Sequence, residues 1–322
     1  MKTIGAALGL LLALVISAAA QDNYPTRPIT LIVPFPPGGS TDVIARVVGE
    51  GFRRVLGQPV VIDNRAGASG MLGTAAIVRA QPDGTTIGIG TASTLAINQA
   101  VFKNQPYDVT VDLAAIGNVV DVPNIMSVNP KVPATSLAEL IALSKREPGK
   151  LSYATPGHGT VGHVIGEQFK LSTGTDLLHV PYRGMAAALN DAIGGQVQVI
   201  YDNLPTSLEL VKSGKLRALA LSAPHRVDAL PEVPTFGELG LDEINWMGFF
   251  GLVAPRGTPP SIVKRLNDAL VRSLAMPDLR EKLTSQQAFV VGNSPEEFHA
   301  AIVREVARMR RAAAAAKIEL NQ

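Results

Sequence analysis

The chain has 322 residues, no cysteine, 5% aromatic residues, and 29 Lys+Arg against 27 Asp+Glu. Without cysteine there is neither a disulfide framework nor a lipid anchor held through a thiol. The near-balance of charge leaves no basic patch interleaved with aromatics for nucleic acid, and so few Trp and Tyr argue against a sugar receptor, whose rings need faces to stack on.

In chain order, residues 1–20 hold a weakly charged start (Met1-Lys2), an apolar run from Ile4 to Ile16, and small residues at Ala18-Ala19-Ala20. An apolar core of about 13 residues is shorter than the roughly 20 a spanning helix needs. It is therefore expected to be a secretory signal peptide cleaved near Ala20, leaving Gln21 first in an exported chain. No later stretch is long and apolar enough to span a bilayer. The remaining length, roughly 300 residues, suits two lobes better than one core.

From there "ITLIVPF" (29–35) reads as a buried strand and "TDVIARVVGEGFRRVLG" (41–57) as an amphipathic helix closed by Gly57. "PVVIDNR" (59–65) is a second strand, "SGMLGTAAIVRAQPDG" (69–84) a helix stopped by Pro82-Asp83-Gly84, and "TTIGIGTAS" (85–93) a third strand. Short apolar strands alternating with helices predict a parallel sheet covered on both faces. The strand-like stretch 116–130 leads outward to a second unit of the same grammar. There, Ser136 caps a helix over 136–149 with Glu139 completing a capping box. Strands follow at 150–157, 176–182, 197–203 and 216–223, with helices over 160–174 and 185–195. The stretch 246–260 returns to the first unit and helices run from Pro260, which carry part of the positive charge (Arg304, Arg308, Arg310, Arg311, Lys317). Two strand-like crossovers predict a hinge.

The turn "PFPPGGSTD" joins the first strand to the first helix. Pro36-Pro37 stiffens the exit, Gly38-Gly39 permits close backbone approach, and the helix start offers free amides and the positive end of its dipole to a carboxylate or phosphate. Asp42 competes for the same positive end. A turn that binds nothing fits the residues equally well. "VPYRGMAAALNDAIGG" repeats the device: Arg183-Gly184 makes the turn, and Met185, Ala186 and Ala187 bring amides without bulk. Glycine turns at strand C-termini are where open α/β proteins place ligands. Ser69, Ser93 and Thr94 sit in loops at matching ends, as hydroxyl donors or as helix caps.

"GHGTVG" (157–162) spells G-x-G-x-x-G, with Asp176 about 20 residues on. Pro156 in the turn and Asp176 opening the next strand, where a ribose-binding acid should close it, argue against a dinucleotide; contact with a small ligand through Gly159 and Thr160 fits better. Catalysis has no motif: G-x-S-x-G fails at Met71, and H-E-x-x-H and cysteine nucleophiles are absent. His158 and His163, five apart, are not a helical metal pair, so no metal site, cofactor or enzyme activity is expected.

Taken together, "YPTRPITLIVPFPPGGSTDVIAR", "VIDNRAGASGMLG", "ATPGHGTVGH", "VPYRG" and "GLVAPRGTP", in this order, resemble the Bug receptors of tripartite tricarboxylate transporters over nearly the whole mature chain. The resemblance implies a type II, Venus-flytrap periplasmic binding protein of α/β fold, each lobe a mostly parallel sheet flanked by helices. Lobe 1 would span 21–121 and 248–322, and lobe 2 would span 122–247. It implies a monomer holding a small organic carboxylate, without cofactor or nucleic acid, and touching membrane permease subunits transiently. Carried over by position, the ligand contacts would be Phe35, Gly38, Gly39, Ser69, Ser93, Thr94, Gly159, Thr160, Arg183, Gly184, Ala187 and Asp202, the last meeting a ligand ammonium or hydroxyl. One departure is Pro156, where relatives more often carry serine, which removes a backbone donor. A sensing role beside a histidine kinase is the alternative, and a nucleotide-dependent enzyme a remoter one.

Overall fold

The computed structural model describes residues 24–320, so the expected signal peptide and its cleavage point lie outside the described residues. Two sheets organise the chain. The first is built from β1 (Ile29–Val33), β2 (Val60–Asn64), β3 (Thr86–Thr91), β4 (Leu113–Val122), β10 (Gly248–Pro255) and β11 (Phe289–Val290), in the order β11-β4-β10-β3-β1-β2. The second contains β5 (Asn124–Val128), β6 (Ser152–Thr155), β7 (Leu178–Pro181), β8 (Val199–Asn203) and β9 (Arg217–Ser222), ordered β7-β6-β8-β5-β9. The chain passes from β4 to β5 through Pro123 alone, and returns between β9 and β10.

Each sheet is mixed. Strands β2, β1 and β3 run parallel, as do β7, β6 and β8. The strands beside the crossovers, β4, β10, β5 and β9, join antiparallel because the chain enters or leaves a lobe there instead of looping back over a helix. Helix α1 (Ser40–Leu56) covers the first sheet with Ile44, Ala45, Val48, Phe52 and Leu56, spaced three and four apart, and turns Arg46, Glu50, Arg53 and Arg54 outward.

The predicted helix over 69–84 is shorter. Ala68 and Ser69 take positive φ in a tight turn, and α2 (Met71–Val78) ends when Ala80 N bonds Ile77 O, before Pro82 is reached. A π-type turn (Ser93–Ile97) follows β3 and runs into α3 (Asn98–Val101). In lobe 2, α4 (Leu137–Arg146) has its Ser136 cap, whose hydroxyl accepts from Glu139 N (3.2 Å), while the Glu139 carboxylate accepts most closely from Thr135 N (2.6 Å) and Thr135 Oγ1, one residue ahead of the cap. Lobe 2 is completed by α5 (Val161–Thr173), α6 (Met185–Gly194) and α7 (Leu204–Lys212); α8 (Pro260–Leu274) and α9 (Pro277–Thr284) belong to the first sheet. A full capping box, Ser294 with Glu297, opens α10 (Pro295–Ala315).

Helix α10 crosses the back of the first sheet, where Phe298, 1% exposed, lies against Gly251 of β10. A Cβ at Gly251 would stand 2.1 Å from the Phe298 ring. Gly251→Ala is expected to cost about 1–3 kcal/mol by overpacking, read as a Tm drop of several degrees. An unchanged Tm would show that the ring has room to move.

Candidate functional site

Between the two sheets lies a cavity of about 230 Å³. Its wall is made by the ends of parallel strands and the helix starts that follow them. On the lobe 1 side, β1 delivers Phe35 and the Pro36-Pro37 turn to the start of α1. The amides of Gly39, Ser40 and Thr41 come before the first intrahelical bond and have no acceptor among the described residues. On the lobe 2 side, β7 leads through Arg183 and Gly184 (φ 129°) to α6, whose Met185, Ala186 and Ala187 amides are likewise unpaired. Two positive dipole ends thus meet one space from opposite lobes. Gly184 approaches Pro36 so closely that a Cβ there would sit 3.0 Å from the proline ring, which sets the two turns against each other.

Eight expected contacts line this cavity: Phe35, Gly39, Ser93, Thr160, Arg183, Gly184, Ala187 and Asp202. The other four stand away from it. Gly38 is exposed at φ 85°, and its amide donates to Asp42 Oδ2 (3.1 Å). The competition foreseen for Asp42 is real, and it consumes this donor. Burial pushes the Asp42 carboxyl up, but Arg46, the Gly38 amide and Asn64 together hold it below its ordinary value. Ser69 lies in the turn before α2, its carbonyl accepting from Asn98 Nδ2 (3.0 Å) and its hydroxyl pointing at Gly157. Thr94 is wholly buried, and its hydroxyl accepts from Thr91 N (2.9 Å), closing the exit of β3. Gly159 turns its amide to His163 Nδ1 (3.1 Å) and packs on Phe102.

The same loop disposes of the dinucleotide reading. Gly157 N donates to Thr155 Oγ1, Gly159 N to His163, and Val161 N to Ser93 Oγ (3.1 Å). A phosphate cradle needs those amides free.

Electrostatically the cavity is sparse. Arg183 is exposed and makes no ion pair among the described residues. Asp202 is the buried acid at the end of β8. Burial pushes its carboxyl up to about 6 against hydrogen bonds from Ser207 Oγ (2.6 Å), Thr206 Oγ1 (2.6 Å) and Asn203 N (2.7 Å).

Sequence reasoning missed a polar ladder beside Asp202. Ser40 Oγ donates to Asn203 Oδ1 (3.0 Å) from across the cavity, Asn203 Nδ2 to Asn124 Oδ1 (2.8 Å), and Asn124 Nδ2 to Trp246 O (3.0 Å). It ties both crossings and both lobes together. The signal was an asparagine at the edge of each of two largely apolar strands, in "VPNIM" and, next to Asp202, in "VIYDN". Phe249 and Phe250, from "GFFG", supply an aromatic wall that was not singled out either. Topology also brings His179 of β7 beside His158 and His163, so the pair set aside on spacing is part of a trio. Burial lowers His163 to about 4 and His179 to about 3, leaving both neutral at pH 7.

The description "Tripartite tricarboxylate transporter family receptor" fits residues 44–317 of the chain. Protein BugT of Bordetella pertussis (strain Tohama I) is 39% identical over 311 residues, covering 96% of this chain and 95% of its own length. Among solved structures, R. palustris Rpa4515 with adipate superposes with a TM-score of 0.89 at 36% identity, over 93% of this chain and 100% of that one. MatC from Rhodopseudomonas palustris with bound malate gives 0.86 at 30% identity, over 90% and 99%.

Proposed function

The chain belongs to the tripartite tricarboxylate transporter receptor family, and on that premise we propose that it captures a small dicarboxylate in the periplasm and hands it to membrane permease subunits. The observation that carries this reading is the pairing of two unpaired-amide helix starts, one per lobe, on a single cavity. Each start suits one carboxylate, so a molecule with an acid at either end engages both. A cavity of about 230 Å³ holds roughly eight waters at about 30 Å³ each, room for a C4–C6 diacid. The solved relatives hold adipate and malate, diacids of that size.

In this reading Phe35, Gly39, Ser93, Thr160, Arg183, Gly184, Ala187 and Asp202 contact the ligand, joined by Ser40 and Thr41. Asp202 meets a hydroxyl or ammonium on the ligand's chain. The lobes move as units about the two crossings near residues 122 and 247, and the ligand favours the shut form because only there do both docks reach it.

A thermal-shift screen tests the proposal. C4–C6 dicarboxylates are expected to raise Tm, whereas monocarboxylates, pyranoses and NAD do not; at a hundredfold excess over Kd, mass action adds about 2.7 kcal/mol. Stabilisation by NAD with none by any dicarboxylate would overturn it. Arg183→Ala is expected to weaken binding about tenfold, with less salt dependence than the parent, because the guanidinium is solvated. Calorimetry at low and high salt reads both effects, and a loss beyond a hundredfold would mean that Arg183, not the amides, holds the acid.

A further inference from the structure

His158 in the loop, His163 in the first turn of α5 and His179 in β7 meet behind the cavity wall, and none of them lines the cavity. One ligating nitrogen from each lies within 4.8 Å of the other two. We propose that these three histidines bind one divalent transition metal of the zinc–copper class, in a site distinct from the organic-acid cavity.

The donor set points to the metal. Three imidazoles without a carboxylate suit Zn2+, Cu2+ or Ni2+, whereas Mg2+ and Ca2+ demand oxygen. The charges packed nearby cancel, since Lys170 is paired with Glu167, which also accepts from the Tyr153 hydroxyl (2.6 Å). Repulsion of a cation is therefore small.

A hydroxyl holds the far nitrogen of His179. Thr155 Oγ1 lies 2.7 Å from His179 Nε2; in the tautomer that carries its proton on Nε2 and donates there, the Nδ1 lone pair is left for a metal. An oxygen holding the far nitrogen is how metal-binding imidazoles are oriented. His158 is exposed and makes no hydrogen bond among the described residues, so its ring can swing in, with the fourth position open to water.

The His163 and His179 rings are stacked at 4.2 Å, and His158 stands edge-on to them at 5.5 and 5.1 Å. Tetrahedral zinc with bonds of about 2.0–2.1 Å sets its nitrogens about 3.3 Å apart, so the trio contracts and the stack opens on binding. His163 must also change partner. Its Nδ1 lone pair accepts from Gly159 N, so ligation there frees that amide. Gly159 sits in the loop that carries Pro156 and Thr160 to the cavity wall, which couples the metal to the shape of the acid site.

Calorimetric titration of EDTA-treated protein carrying no histidine tag tests the site, with Zn2+, Cu2+ and Mg2+ as probes. One equivalent of Zn2+ and of Cu2+ is expected, and none of Mg2+. His158→Ala and His179→Ala should each weaken binding by more than the roughly 10–100-fold that losing an outer partner costs. His225→Ala, remote from the trio, should change nothing. The Cu2+ electron paramagnetic resonance spectrum should show imidazole nitrogen couplings that diminish in His158→Ala, a surface change that leaves the fold intact. Absence of Zn2+ and Cu2+ binding to the parent, or affinity unchanged in both His158→Ala and His179→Ala, overturns the proposal.

Discussion

Gly39→Val is expected to remove dicarboxylate binding while leaving the Tm nearly where it was. Gly39 has φ −86° and ψ 168°, a conformation open to any residue, and a Cβ there would meet nothing within 4 Å. The added side chain therefore costs the fold little. It grows instead over the unpaired amides of Gly39, Ser40 and Thr41. Hydrogen bonds to a charged acceptor are worth about 1.5–3 kcal/mol each, so losing two should weaken binding by more than about a hundredfold. Calorimetry with the best diacid, alongside thermal melting, reads both halves. Parent-like affinity in the valine variant would place the carboxylate elsewhere.

The second large effect concerns Asp202 and pH. An acid whose midpoint rises on folding, here from 3.8 to about 6, binds its proton more tightly in the native state than in the unfolded chain. Stability from this group is therefore full below pH 4 and falls as pH climbs through 6, by about 3 kcal/mol in all. Asp202→Asn has no such loss. Its stability relative to the parent should rise by about that amount between pH 4 and pH 7, measured by urea midpoints at each pH, and a difference that stays flat would mean the carboxylate is well solvated. Ligand binding should follow: between pH 8 and 6 the parent should bind a dianion more tightly as Asp202 gains its proton, and the variant should show no such trend.

The alternation of apolar strands and helices was legible because period and breaker residues act locally: Gly57 ends α1 and Gly174 ends α5 much as their positions announce. The two glycine turns that open helices with unpaired amides were legible for the same reason, although a turn that binds nothing fitted the residues equally well. Less visible was anything decided by a distant partner. Gly38 was expected to bind ligand, but Asp42, four residues on, takes its amide, with Arg46 and Asn64 arranging the acid. Thr94 and Gly159 were assigned by position in a loop, and which way their donors turn depends on Thr91 and His163. The histidine trio lay beyond any spacing rule because its third member arrives on a neighbouring strand. The Asn124–Asn203 ladder was readable in part, as amides at the edges of largely apolar strands, although its span from Ser40 to Trp246 needed the fold.

That ladder, with the Ser93–Val161 bond, gives the receptor a latch of its own. Two bonds across the cleft, at about 1 kcal/mol each, bias the jaws toward shutting by roughly thirtyfold whatever cargo is inside. On the proposed reading, a cargo then needs only to tip a balance already leaning its way, so modest fit suffices and diacids of unequal length can share one carrier. Discrimination would fall less on how firmly the jaws close than on how long each cargo keeps them from reopening.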